Sequence, residues 1–403
     1  MRILIASSAY YPAMNGQAMF TTNLAEGLAM HGHTVTVVVD SINAQGFENE
    51  INGVIVKGLH SIRFYYFNAG VYFTPFPGRQ VGRLIDQFQP EIIHIQDHYP
   101  VCWAAVARAK QRGIKIVGSN HFIPENVAPY IPLYRLVRPA ADWFLWQWML
   151  LVYRQVDAIT AQSKAAAALI KQQGLSMPVL PISCGIDLKR LSPSVQGSRE
   201  FYCQRYGLDP RKKIFLFLGR IDGEKRVDLL VQSMQLLKRP DIQMVIAGRG
   251  RAEKEMRQMV AHLGLSEQVR FTGYIPPEDV PGLLNSTDIF VMPSEAELLS
   301  ISTLEAMACG KPVLLADALA LPELVENDVN GYLFKAGDVH DLVRLMDQMA
   351  DQPERWHAMG AASREMSLKH SLEDVIYRFE SLYAQLVHEV PVTEVKPQLK
   401  ETA

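Results

Sequence analysis

The stretch Ser294–Val313, SEAELLSISTLEAMACGKPV, sets Glu297 and Glu305 on either side of a serine-rich link, with seven residues between them. Two carboxylates at the start of an apolar, helix-forming run admit two chemical readings. In the first, Ser302-Thr303-Leu304-Glu305 is a capping box, serine and glutamate together satisfying the free N–H groups of a helix end. In the second, the backbone around Ser300, Ile301 and Ser302 and the positive end of the helix dipole hold a phosphate, while Glu305 reaches a ribose hydroxyl. The residues alone leave both open, and the two are compatible.

Further cations and glycines lie on turns where a strand gives way to a helix. In LGRIDGEKR, Gly219 permits a backbone bend. Arg220 offers a fork there and Lys225 a point charge, a pairing suited to a diphosphate; an exposed basic turn is the plainer alternative. In AGRGRAEKE, Gly248 and Gly250 close a strand and open a helix, though a tight turn alone asks for the same glycines. Asn15-Gly16 follows the first strand, where glycine lets a backbone approach a ligand or simply makes a turn. His121, in SNHFIPEN, stands at the carboxyl end of another strand, from which an imidazole can donate or shuttle a proton. No D-x-D occurs in the chain. Arginine, lysine and a helix dipole would have to neutralise a diphosphate, and the expectation is chemistry without a metal.

These residues need a scaffold, and the strand-like runs describe one. RILIAS, TVTVVVD, VIVKGL, EIIHIQD, KIVGSN, DAITAQS and PVLPIS come first, then KIFLFLG, QMVIAG, VRFTG, DIFVMPS, KPVLLAD and GYLF. Near-continuous apolar strands alternating with helical patterns predict parallel sheets covered on both faces. The rhythm occurs twice, across a polar stretch that ends near residue 212. The expected fold is α/β, two facing doubly wound Rossmann-like domains over 1–190 and 191–370. A cleft would lie at the carboxyl ends of their strands. A helix over 371–388 is expected to pack back on the first domain, with a loose tail at 389–403. Neither a G-x-G-x-x-G after the first strand nor a P-loop is present, which argues against a conventional dinucleotide oxidoreductase.

Composition narrows the classes. The 403 residues exceed one ordinary core, and 48% hydrophobic with 20% charged residues describes a globular protein. A net charge of −2 carries no nucleic-acid signal, although residues 1–190 hold 16 Lys/Arg against 11 Asp/Glu. Four dispersed cysteines read as buried free thiols in a reducing compartment. No secretory leader and no membrane-spanning run is read, so the expectation is a cytoplasmic protein.

Taken together, Gly16, His121, GRIDGEK, AGRG and EAELLSISTLEAMACGKPV resemble the GT-B retaining glycosyltransferases of family four. The resemblance covers the chain to about residue 388. It implies transfer of a sugar from a nucleotide-sugar donor, with retention and without metal. It also implies roles: Arg220 and Lys225 on the diphosphate, Glu305 on the ribose, Glu297 on donor-sugar hydroxyls, and the backbone of Ser300–Ser302 on phosphate. His121 would bind the sugar near its anomeric carbon, and Tyr274 and Ile275 in TGYIP would pass the base. The family often shows E-G-F-G where this chain has Glu297-Leu298-Leu299-Ser300, and glycine where it has Arg226. No residue of the set is an obvious nucleophile, which favours same-face attack by the acceptor hydroxyl.

For the acceptor, RFYYFNAGVYFTPFPGR holds seven aromatics, among them Tyr66 and Phe67. WFLWQWMLLVY holds three of the five tryptophans, including Trp143 and Trp146, between Arg138 and Arg154. Such a helix could lie in a membrane interface or cover the sheet as core. The text from IHIQDHYP to PISCGID is similar to the branch that glycosylates diacylglycerol. That similarity implies UDP-glucose as donor, 1,2-diacylglycerol as acceptor and a peripheral place on the inner face of the cell membrane. A soluble sugar or polysaccharide acceptor, an epimerase-like protein and a non-catalytic nucleotide-sugar sensor are the alternatives. Oligomeric state is not readable.

Overall fold

Aliphatic and β-branched runs with no polar face must be covered on both sides, and in a computed structural model of the chain they are. The structure describes residues 1–13, 15–43, 45–64, 71–124, 134–193, 199–390 and 392. Tyr66, Phe67 and nearly all of the expected tail lie outside the described residues.

The first unit comprises Met1–Gly185 together with the returning segment from Leu372. Its strands are β1 (Arg2–Ser7), β2 (Thr34–Asp40), β3 (Phe47–Ile51), β4 (Val54–Leu59), β5 (Ile62–Phe64), β6 (Val71–Phe73), β7 (Ile92–Ile95), β8 (Lys115–Asn120), β9 (Ala158–Ala161) and β10 (Val179–Pro181). Eight of them form one sheet in the order β10-β9-β8-β7-β1-β2-β4-β3. All pairs are parallel except β3 on β4. The strand order reverses between β7 and β1, so the loops after them border the switch point, where such sheets take ligands. β5 and β6 form a separate antiparallel pair.

The helix Leu372–Val387 belongs to this unit through buried contacts. Phe379, Leu382 and Tyr383 are fully buried. Gly27, on the helix Gly16–Met30, leaves room for Ile376, whose Cδ1 would stand 2.0 Å from any Cβ there. The Tyr383 hydroxyl meets His94 Nδ1 at 2.7 Å, and His94 Nε2 meets Ser119 Oγ at 2.8 Å. Burial pushes the His94 imidazolium down to about 3, so the ring is neutral in this polar chain.

The second unit, Ile186–Ser371, holds β11 (Lys213–Leu218), β12 (Ile242–Ala247), β13 (Val269–Gly273), β14 (Ile289–Met292), β15 (Val313–Ala316) and β16 (Gly331–Phe334). They form one parallel sheet in the order β13-β12-β11-β14-β15-β16. Its switch point falls between β11 and β14. All four cysteines are buried and unpaired. Every strand run read from the sequence is a strand, and both units are doubly wound α/β.

Candidate functional site

In the second unit, the loops after β11 and β14 carry the charged motifs to the switch point. Glu224 and Lys225 lie in the short turn Gly223–Lys225, and Arg226 turns the chain in a left-handed conformation at φ 50°. Two bonds to the Glu224 carbonyl knit the loops together, from the Ser294 hydroxyl at 3.1 Å and from the Glu295 amide at 3.3 Å. Across them Lys225 Nζ donates to Glu297 Oε1 at 2.5 Å, both side chains being largely buried. Arg220 spends its fork on Asp222 at 2.8 Å and Glu224 at 2.9 Å while its side chain stays half-exposed. Arg226 pairs with Asp228 and with Glu295. The cations expected for a diphosphate are therefore shared with carboxylates, and an incoming anion must compete for them.

The helix Ile301–Ala308 tests the capping reading of Glu305. Ser300 is the N-cap, its side chain accepting from the Thr303 amide. Ser302 lies inside the helix, so the capping box of the first reading does not form. An extended backbone at Ser300, ψ 100°, lets its own hydroxyl reach Thr303 first. Glu305 is left free of capping, its side chain 17% exposed, with Arg190 Nη2 3.5 Å from its Oε1. Burial pushes its carboxyl up to about 7, partly offset by Arg190.

Gly248 and Gly250 answer to the neighbouring turn. A Cβ on Gly248, at φ +132°, would stand 1.8 Å from the Gly219 carbonyl oxygen, and one on Gly250 2.2 Å from that of Ile221. Bonds from Gly219 N to Ala247 O and from Ile221 N to Arg249 O, both 3.0 Å, hold the two turns side by side. The glycines thus let the Arg220 turn pack against its neighbour. Tyr274 is exposed and Ile275 buried in the loop after β13.

In the first unit, Gly16 opens a helix rather than lying within the loop after β1. Asn15 caps the helix Gly16–Met30 by accepting from Ala18 N at 2.9 Å, and Gly16 is its first residue. His121 follows β8 with both ring nitrogens engaged. Nε2 meets Gln96 Oε1 at 3.0 Å, and Nδ1 meets Gln162 Nε2. Burial pushes its imidazolium down to about 4, so the ring is neutral.

Sequence reading missed the group at this switch point. Asp97, after β7, accepts from Ser8 N at 2.7 Å, Gln17 Nε2 at 2.8 Å and Tyr99 N at 2.9 Å. The buried Gln96 Nε2 and both ring nitrogens of His98 lack a protein partner. The signal was the polar run Gln96-Asp97-His98 directly after the buried IIHI, a place where chain leaving a core strand needs a reason to stay polar. Arg190, in the polar stretch between the two runs of strands, was missed as well.

The helix Tyr134–Tyr153 is divided by face. Trp143 and Phe144 are 64% and 62% exposed, while Trp146, Met149, Leu150 and Tyr153 are buried. Trp146 packs edge-on to Phe122 at 6.2 Å. Its expected place at a membrane is corrected: a rotation of about 100° per residue turns it inward with 149, 150 and 153. Among the described residues no helix is long and apolar enough to cross a membrane.

Comparison with known proteins follows the same division. The family profile described as Glycosyltransferase Family 4 matches residues 14–190, and that of the Glycosyl transferases group 1 matches 198–366. A lipopolysaccharide core biosynthesis mannosyltransferase, LpsB of Rhizobium meliloti, is 31% identical over 249 residues, 58% of this chain and 68% of that protein. The sulfoquinovosyl transferase SQD2 of Arabidopsis thaliana is 28% identical over 81% of this chain, which spans 62% of that relative's length. The alpha-monoglucosyldiacylglycerol synthase of Streptococcus pneumoniae is 25% identical over 85% of this chain and 76% of its own. Among solved structures, the sucrose-phosphate synthase of Thermosynechococcus elongatus superposes with a TM-score of 0.75 at 18% identity, over 96% of this chain and 100% of that one.

Proposed function

The chain belongs to the family-four, group 1 glycosyltransferases, and from that premise we propose that it moves a hexose from a UDP-sugar, glucose foremost, to a lipid such as 1,2-diacylglycerol. The observation that carries the donor half is the Lys225–Glu297 pair at the switch point, Glu297 lying in the loop that leads into the serine-capped helix carrying Glu305. The diphosphate would take Lys225 and Arg220 from their carboxylates, with the amides of Ile301 and Ser302 behind it. Glu297, released, would accept from hydroxyls of the donor sugar, and Glu305 from the ribose. Gly16 and the Gly248 and Gly250 turns would shape the backbone around the donor, with Tyr274 and Ile275 near the base. Neutral His121 would serve the sugar near its anomeric carbon.

The step is proposed as same-face substitution. The bond from the anomeric carbon to the diphosphate oxygen breaks, a bond to the acceptor oxygen forms, and the acceptor's proton passes to the leaving diphosphate. Arg220, Lys225 and a helix end supply the positive charge, so no metal is called for. The lipid half is supported by the exposed Trp143 and Phe144 and by the relative whose name includes diacylglycerol. It would place the enzyme on the cytoplasmic surface of the membrane.

The test is a mass-spectrometric product assay with diacylglycerol in anionic vesicles, a panel of UDP-, GDP- and ADP-sugars, and EDTA. A glycosylated lipid from a UDP-sugar alone is the expected result. Product from GDP-mannose would replace the donor, and nucleotide release without lipid product would move the search to soluble acceptors. A sugar epimer formed without acceptor would overturn transfer. Full turnover by Lys225→Ala with Glu297→Ala would overturn the site.

A further inference from the structure

Arg190 belongs to none of the motifs above, yet it is fixed at both ends. Asp187 Oδ1 accepts the amides of Lys189 at 2.9 Å and Arg190 at 3.1 Å, closing a turn beneath it. Its guanidinium donates through Nη1 to the Pro277 carbonyl at 2.8 Å and holds Nη2 3.5 Å from Glu305 Oε1. One side chain therefore joins the carboxylate assigned to the ribose with the loop after β13, whose Tyr274 and Ile275 are assigned to the base. We propose that Arg190 is a positioning residue for the nucleotide, keeping Glu305 charged and aimed at the ribose and holding the base-side loop in register with it. The inference rests on the reading of Glu305 as the ribose ligand.

The chemistry requires such a partner. A vicinal diol offers two O–H donors, and an ionised carboxylate presents one acceptor oxygen to each, whereas protonation turns one of those oxygens into a donor. Burial pushes Glu305 toward protonation at neutral pH, and Arg190 is the charge that pulls it back. The other charged or titratable groups near this helix are otherwise occupied. Arg364, from the helix Trp356–Ser367, donates to the carbonyls of Leu188, Leu191 and Ala308. Lys311 donates to those of Asn285 and Thr287. The Cys309 thiol is pushed up to about 12 by burial and stays neutral. Among the described residues, Arg190 alone stands within ion-pair distance of Glu305.

The experiment titrates UDP-glucose, GDP-mannose and ADP-glucose into the full chain by calorimetry between about pH 5.5 and 9, a range in which a diphosphate diester keeps its charge. Wild type should bind one of them with an affinity that rises through about pH 7 and then levels. Arg190→Met should bind it about tenfold more weakly at pH 7.5, the scale of one charge-assisted contact, with the rise displaced to higher pH. Arg190→Lys should restore part of the loss. In a Glu305→Gln background the pH dependence should vanish and Arg190→Met should add little. An Arg190→Met profile that tracks wild type, or the same tenfold loss on top of Glu305→Gln, would overturn the role given to Arg190. Wild type binding none of the three at any pH would instead overturn the donor site itself, which keeps the two failures apart.

Discussion

Glu305 combines burial with a single long ion pair, and that combination gives its titration a definite sign. Its carboxyl is raised from 4.5 to about 7 in the folded chain. The folded state thus holds the proton more tightly than the unfolded one. The stability this contributes is complete below about pH 4.5 and is lost as pH rises through about 7, a total on the order of 3 kcal/mol. Glu305→Gln should flatten that loss, so its melting temperature should fall less than wild type's between pH 5 and 8; parallel slopes in thermal melts would refute it. A carboxylate kept at such a cost points to a ligand rather than to the fold. The Lys225–Glu297 pair argues the same way, because a buried ion pair is seldom more stabilising than apolar packing of equal volume. Those glutamates and Lys225 were legible because their spacing sits inside single turns. Arg190 and Asp97 were not, because their partners are brought to them only by the fold.

At the scale of elements, the apolar strands were legible because burial on both faces leaves no alternation to misread. β3, with the sequence FENEI and an exposed middle, was not: an antiparallel edge strand shows solvent too much of itself to read as buried. The capping box failed for a local reason, since Ser300 and Ser302 both offer a hydroxyl and backbone geometry chose the earlier one. Glycines divide by what surrounds them. Gly248 has a positive φ and a carbonyl where its Cβ would go, so Gly248→Ala should cost about 2–4 kcal/mol and disturb the Arg220 turn with it. Gly223, in the neighbouring turn, has no positive φ and open space around it. Gly223→Ala should leave stability unchanged or raise it by a few tenths of a kcal/mol. Denaturant midpoints of the two variants check the contrast, and equal losses would mean that the close approach at Gly248 is not what its glycine serves.

At the scale of the molecule, one helix must satisfy two solvents. The face of Tyr134–Tyr153 carrying Leu145, Trp146, Met149, Leu150 and Tyr153 is covered by the first unit, and Tyr153 donates to the Ser119 carbonyl at 2.6 Å. The other face presents Leu136, Val137, Trp143, Phe144 and Leu151, each at least 45% exposed. The sequence could not assign these faces, because apolar residues occur all round the segment and a period of 3.6 has nothing polar to mark it. Contiguous exposed aromatics and aliphatics suit an interface where tryptophan sits at headgroup depth. Each large apolar side chain buried there contributes about 1.5–3 kcal/mol at most. Trp143→Ser with Phe144→Ser should therefore weaken binding to anionic vesicles by at least tenfold in flotation assays. Nucleotide-sugar binding, which the reading assigns to the other unit, should stay at the wild-type level. Trp146→Phe should leave vesicle binding intact, because that ring faces Phe122 and not the solvent. Vesicle binding that survives the double substitution would remove this helix from the membrane and leave the lipid reading to rest on the relatives alone.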